Sequence, residues 1–195
     1  MAFNITAFRS GMAFDGQRPN LFEVTIPKGT GDIFDGDDLN LFAKGTSIPG
    51  ATIGTVIVPY FGREIKLAGN RTFPEWTITV LNDENFSFRS QFENWMHLIN
   101  GHGDNVRGTG GTSTSYTKTA NVKQYGKTGS GTTSAHYSFV NLFPTDLSEI
   151  TLDWGDNDTV EEYTVTFSYD YWIRAKGTVT GGKGTMAAAI AKGTA

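Results

Sequence analysis

The chain has 195 residues, 38% hydrophobic and 13% aromatic, enough for one domain with a core built from large side chains. A net charge of −4 lacks the basic footprint of a protein that grips nucleic acid, and the absence of cysteine removes disulfides, thiolate metal sites and cysteine nucleophiles. No stretch approaches the roughly 20 apolar residues of a bilayer span, and the opening MAFNITAFRSGMAFDG has no basic-then-apolar leader, so the expectation is synthesis in the cytosol without a membrane anchor.

In chain order, residues 1–20 read as irregular, punctuated by Gly11, Gly16 and Pro19. Leu21–Ile26 is a short strand closed by Pro27, and Lys28–Asp38 is a Gly/Asp loop interrupted by the apolar pair Ile33 and Phe34. Leu39–Ile48 is weakly strand-like and ends at the turn Pro49-Gly50. Ile53–Tyr60 and Arg63–Leu67 read as two strands around Phe61-Gly62. In Trp76–Leu81, Trp76, Ile78 and Val80 alternate with Thr77 and Thr79.

A single convincing helix is expected at about Ser87 to Asn100. Phe88, Phe92, Trp95, Met96 and Ile99 form one apolar stripe of helical period. Asn85 or Ser87 is placed to cap it, Asp83 and Glu84 suit its positive end, and Gly101 sits where a terminating glycine belongs. Residues 108–134 are biased to Gly, Thr and Ser, yet Tyr116–Tyr125 and His136–Phe143 have strand character and predict a hairpin with 126–131 at its tip. Ile150, Leu152 and Trp154 alternate as in a strand. So do Tyr163, Val165, Phe167, Tyr169 and Tyr171, with Gly155–Asp158 as the turn of a long hairpin. The fold class is therefore mainly β, a single-domain sandwich or barrel over residues 1–174 with one amphipathic helix. A Gly/Ala/Lys-rich tail, 175–195, is expected to be flexible.

No constellation points to catalysis. His97, His102 and His136 form no metal-binding spacing. Asp153, Asp156, Asp158, Glu161 and Glu162 form the densest carboxylate cluster, but their spacing is not that of a calcium loop. Gly108–Gly111 follows a helix instead of preceding one, unlike a phosphate loop. No Gly-x-Ser-x-Gly nucleophile elbow is present. Neither a catalytic residue nor a cofactor is assigned.

Several segments in order carry a resemblance: Tyr60-x-Gly62-Arg63-x-Ile65, Ala68-Gly69-x-Arg71-Thr72-Phe73, Trp76–Asn82, Asn82-Asp83-Glu84-Asn85-Phe86 and Phe92-Glu93-x-Trp95-Met96. Tyr137–Pro144, Asn157-Asp158-Thr159-x-Glu161-Glu162, Val165-Thr166-Phe167 and Tyr169-Asp170-Tyr171-Trp172 continue it. From about Leu21 to Trp172 the chain resembles the tail tube proteins of T4-like contractile-tailed bacteriophages, which are related to the tubes of contractile injection systems. The resemblance implies a non-enzymatic virion protein assembled in the bacterial host. Its partners would be further copies of itself in stacked hexameric rings, a sheath, and baseplate and terminator proteins, with DNA passing through the lumen unbound. An injection-device tube carrying protein cargo is the alternative, and a monomeric β-barrel with a ligand or hydrolase site is the rival from another class. Within the tube reading, Ile33 and Phe34 are candidates for a ring-stacking anchor, with packing of the pair back under its own domain as the equal alternative. Phe88, Phe92, Trp95, Met96 and Ile99 are the core helix, and the acids Asp153, Asp156, Asp158, Glu161 and Glu162 are candidates for the lumen wall.

Overall fold

The computed structural model describes residues 4–12, 16–28, 34, 36, 39–108, 116–127 and 133–176. Expectations about Ile33, about 128–131 of the hairpin tip and about 177–195 of the tail fall outside these residues, whereas 175 and 176, expected in the tail, belong to the last strand. The elements are α1 (Ile5–Gly11), β1 (Phe22–Thr25), α2 (Leu39–Phe42), β2 (Ala43–Thr46), β3 (Thr52–Tyr60), β4 (Arg63–Thr72), β5 (Trp76–Leu81) and α3 (Ser87–Ile99). They continue with β6 (Lys118–Tyr125), β7 (Thr133–Leu147), β8 (Glu162–Ser168) and β9 (Tyr171–Lys176). The architecture is mainly β and antiparallel, as the period-2 runs imply.

Seven strands form one sheet in the order β1-β6-β7-β8-β5-β2, with β9 also on β7. Strand β7 has 15 residues and organises the sheet. Its first part pairs with β9, with Phe139 opposite Trp172, and its last part pairs with β8, with Leu147 opposite Val165. β8 and β9 thus lie end to end along β7. The alternation read through Tyr163–Tyr171 as one strand is interrupted at Tyr169-Asp170, where the Asp170 N–H donates to Val140 O at 3.1 Å and Asn141 Nδ2 to Asp170 Oδ2 at 2.6 Å. Asn141 stands at φ 56°, a left-handed conformation that Asn tolerates better than most residues, and this lets the sheet curl around its core.

One face of the seven-stranded sheet fills that core. Val24, Ala120, Val122, Phe139, Leu142, Val165, Phe167, Trp76, Ile78 and Val80 are all buried. Trp76 stacks on Phe139 with ring centroids 4.3 Å apart, and the Trp76 indole N–H donates to Ser47 O at 3.0 Å, so its polar edge is satisfied. Helix α3 closes the core with Phe88, Phe92 and Trp95 buried, while Met96 and Ile99 are half-buried at its margin. Trp95 donates its indole N–H to Tyr116 O at 2.8 Å.

The helix start differs from expectation. Neither Asn85 nor Ser87 caps it. Phe86 precedes it at φ 53°, without a side-chain cap bond. The carboxylate of Asp83 reaches forward instead, accepting from the Ser87 N–H at 2.9 Å and the Ser87 hydroxyl at 2.6 Å. The Ser87 hydroxyl bond first, with backbone N–H bonds beside it, outweighs burial and holds the Asp83 carboxyl below its ordinary value.

Three further expectations are corrected. Residues 1–20 are not wholly irregular, because Asn4 accepts from the N–H groups of Thr6 and Ala7 at 3.1 and 3.3 Å and starts α1. Leu39–Phe42 is a helical turn, with strand geometry only from Ala43. Ile150–Trp154 is not a strand. The place beside β8 is taken by β7 itself, and the ladder stops where Ser148 N–H donates to Thr164 O at 2.9 Å. Asp153 Oδ1 then accepts the Gly155 N–H at 2.8 Å, a local turn that competes with sheet pairing.

Trp95→Ala should cost about 3–5 kcal/mol, the usual range for a buried aromatic truncated to Ala, measured by chemical denaturation. The Asp83 contribution is expected to be pH-dependent. Its folded pKa is lowered from 3.8, so the stabilisation is complete above that value and lost as pH falls through the folded one. Asp83→Asn should therefore lower the melting temperature at neutral pH, and the gap to the parent chain should close on titration below pH 3.8.

Candidate assembly surfaces

The histidines build no metal site. His97 and His102 have parallel rings and face each other with their Nδ1 atoms 3.0 Å apart, a separation that fits one shared N–H···N bond. His136 bonds Asn121 at 3.2 Å. Burial, and then the charge of Lys123, hold its pKa below the ordinary value, with Glu23 opposing. Among the described residues no group of three metal-ligating side chains converges. Gly108 spends its N–H on Leu98 O at 3.1 Å, closing back on α3 instead of opening toward an anion.

Glu23 is the centre of a charged cluster on β1 and β6. Burial opposes its ionisation, but hydrogen bonds from Lys123 and Tyr125 outweigh that and lower its pKa. Tyr125 responds in the opposite sense: donating to the carboxylate pushes its phenol up to about 12. These groups satisfy one another within the sheet, which is a structural arrangement and not a reactive one.

Phe34 does not project as a stacking anchor. It is 1% exposed, with its ring centroid 4.7 Å from Phe92 and 5.2 Å from Trp95. Phe34 itself packs under its own domain, where Phe92 and Trp95 of α3 leave room for one more aromatic ring.

Unpartnered apolar surface lies elsewhere. β3 and β4 form a ribbon of their own, with Val58 opposite Ile65 and Val56 opposite Leu67. Both strands are exposed along their whole length except at Gly69, which is partly covered. Val56, Val58, Tyr60, Ile65 and Leu67 share one face, and Ile57, Pro59, Glu64 and Lys66 share the other. The tip is Phe61-Gly62 at φ 44° and 76°, the left-handed pair that a tight hairpin turn requires. Phe61 is 91% exposed there, and the edge of one ring packs on the face of the other in the Tyr60–Phe61 pair at 4.6 Å.

A second surface is the segment 148–161. With Lys44 and Leu81 it borders an open cleft of about 650 Å³, lined also by Ile150, Leu152, Trp154 and Val160. All five acids expected at the lumen wall border this cleft or its segment. Glu161 accepts from Asn82 Nδ2 at 2.9 Å and Glu162 pairs with Lys44, whereas Asp153, Asp156 and Asp158 are exposed. Trp154 stands among them 101% exposed. The strand signals of the ribbon are legible in the sequence, but its isolation is not. The available clue is that Thr52–Tyr60 carries apolar residues on both of its faces, a pattern that one-sided burial does not produce.

An antiparallel sheet with one covering helix and a large uncovered apolar ribbon has the character of an assembly subunit. The phage tail tube protein family matches residues 15–175, and the chain belongs to that family. It is 36% identical over 166 residues to tail tube protein gp19 of Enterobacteria phage T4, covering 85% of this chain and 94% of the relative. The same values hold for the phage T6 counterpart, and the tail tube protein of Serratia phage KSP90 is 26% identical over 176 residues, covering 85% and 93%. Among solved structures, the anti-feeding prophage tube-terminating cap superposes with a TM-score of 0.61 at 15% identity, covering 85% of this chain and 100% of that one. The PVC extracellular contractile injection system sheath-tube complex gives 0.57 at 15% identity, covering 89% and 98%. At that identity the structural likeness establishes the fold. The chain is thus a structural tail tube subunit and not an enzyme, and among its described residues no helix is long and apolar enough to cross a membrane.

Gly62→Val would place a β-branched residue at φ 76°, costing the ribbon about 1–2 kcal/mol. The expected outcome is faster amide exchange across 52–72 with the melting temperature of the body unchanged, read by hydrogen-exchange mass spectrometry.

Proposed function

We propose that copies of this chain close into hexameric rings that stack into the inner tube of a contractile phage tail, and that DNA passes through the bore without specific binding. The observation that carries this reading is the 36% identity to a T4 tail tube protein over 85% of the chain. Physical features are consistent with it. Among the described residues, the strands at the ends of the sheet order, β1 and β2, each have one ladder partner, apart from the Ile26–Gly36 bridge just beyond β1, so each offers backbone groups to a neighbour. Contacts between unlike surfaces close into rings or propagate as open filaments, according to the rotation between copies. A net charge of −4 suits a conduit, since each Lys or Arg contact with a phosphate adds salt-dependent affinity that would hold DNA in place.

The partners in this reading are the sheath around the tube, the baseplate on which it starts and a terminator at its far end, with assembly in the host cytoplasm. Solved relatives include a sheath-tube complex, a baseplate and a terminating cap. Protein cargo in an injection device is not favoured, because the relatives above 30% identity are phage proteins.

Negative-stain electron microscopy of the purified chain should show rings with a central hole, and tubes when baseplate proteins are added. A species that stays monomeric at high concentration under both conditions would count decisively against the proposal.

A further inference from the structure

The geometry points to a specific contact between copies: the tip of the β3–β4 ribbon of one copy enters the acidic cleft at 148–161 of the next, with Phe61 against Trp154 and Arg63 among the carboxylates. The contact presupposes the self-assembly proposed above and names the surfaces that make it.

Three observations carry it. The first is apolar complementarity. Phe61 and Trp154 are 91% and 101% exposed, and each stands beside other exposed apolar side chains, Tyr60 at the tip and Leu152 and Val160 at the cleft. Uncovered surface of this kind marks contact sites. The second is charge. Residues 52–72 carry Arg63, Lys66 and Arg71 against a single Glu64, while 148–162 carry six carboxylates and no Lys or Arg. Within the described residues, Glu149, Asp153, Asp156 and Asp158 have no ion-pair partner, and neither have Arg63, Lys66 and Arg71. Opposite surface charges steer association and suppress wrong registers.

The third observation is reach and shape. A strand of nine residues extends about 30 Å at about 3.4 Å per residue, so the ribbon tip reaches well away from the strand's start. The left-handed Phe61-Gly62 turn narrows the tip to two residues and holds the Phe61 ring outward, and a cleft of about 650 Å³ admits such a tip. An apolar Trp154 flanked by Leu152 and Val160 is a poor wall for a water-filled bore. In this contact the acids 153–162 therefore leave the lumen and face a neighbour.

The occupant is a second copy of this chain, and the contact is head-to-tail: every copy gives one ribbon and offers one cleft. Phe61→Ala and Trp154→Ala remove exposed side chains, so each variant should keep the parent's melting temperature. Each alone should assemble at a critical concentration about tenfold higher or more, as expected for loss of an anchor residue. Mixed in equal amounts, they retain one good ribbon and one good cleft between them. Analytical ultracentrifugation should then show a one-to-one pair that grows poorly beyond two copies. Arg63→Glu should block assembly, and the same chain also carrying Asp153→Arg and Asp156→Arg should regain it. Tubes from both alanine variants at the parent's critical concentration, or no rescue by charge exchange, would overturn the contact while leaving the tube reading intact. A parent chain that makes neither rings nor tubes would overturn both.

Discussion

The structure depends on one strand serving two partners. β7 runs unbroken from Thr133 to Leu147, yet β9 occupies the first part of its flank and β8 the second. The left-handed turn of backbone at Asn141 makes that change possible, and the curl it produces brings Trp76 of β5 onto Phe139 of β7. From that stacked pair an aromatic seam continues through Phe167, Phe92, Trp95 and Phe34 at centroid distances of 4.7 to 6.3 Å. Aromatic rings bury large areas with few rotatable bonds. A chain with many glycines can thus keep one well-ordered core.

Much of this was legible before any coordinates. Trp76–Leu81 has the alternation of a half-buried strand, and its burial follows that alternation with Trp76, Ile78 and Val80 inside. The stripe of α3 likewise separates buried Phe88, Phe92 and Trp95 from exposed Glu93, Asn94 and His97. Local period is a sufficient signal where one face of an element meets the core. It fails for Ile150–Trp154, where the same alternation lacks an adjacent strand. Period says which residues share a face, not whether another backbone lies alongside. Phe34 illustrates the converse: an apolar residue in a Gly/Asp loop reads equally as exposed or tucked in until Phe92 and Trp95 of the helix are known to leave room for it. The Asp83 cap is half-legible: an acid near the helix start is favourable on charge alone, but the sequence does not distinguish it from Asn85 and Ser87 as the group that bonds the first N–H.

The assembly surfaces were the least legible part. Their strands were visible, but a ribbon that stands apart from its own body has the same sequence signature as one tucked into it. Only the exposure of Val56, Val58, Ile65 and Leu67 together separates the two. In a subunit, residues that look like core in the sequence and lie bare in the single chain are the ones whose burial is supplied by another molecule.

The ribbon has a consequence for where such an assembly stops. Where the ribbon-to-cleft contact runs along the tube instead of closing within one ring, it is never satisfied at the last copy, and two unlike surfaces leave two unlike ends. One end of a finite stack would show bare ribbons, apolar and cationic. The other would show empty clefts, acidic and indole-rich. Length would then be set not by the subunit, which has no means of counting, but by whichever foreign proteins fit those two chemistries, and a protein shaped for one end would be useless at the other.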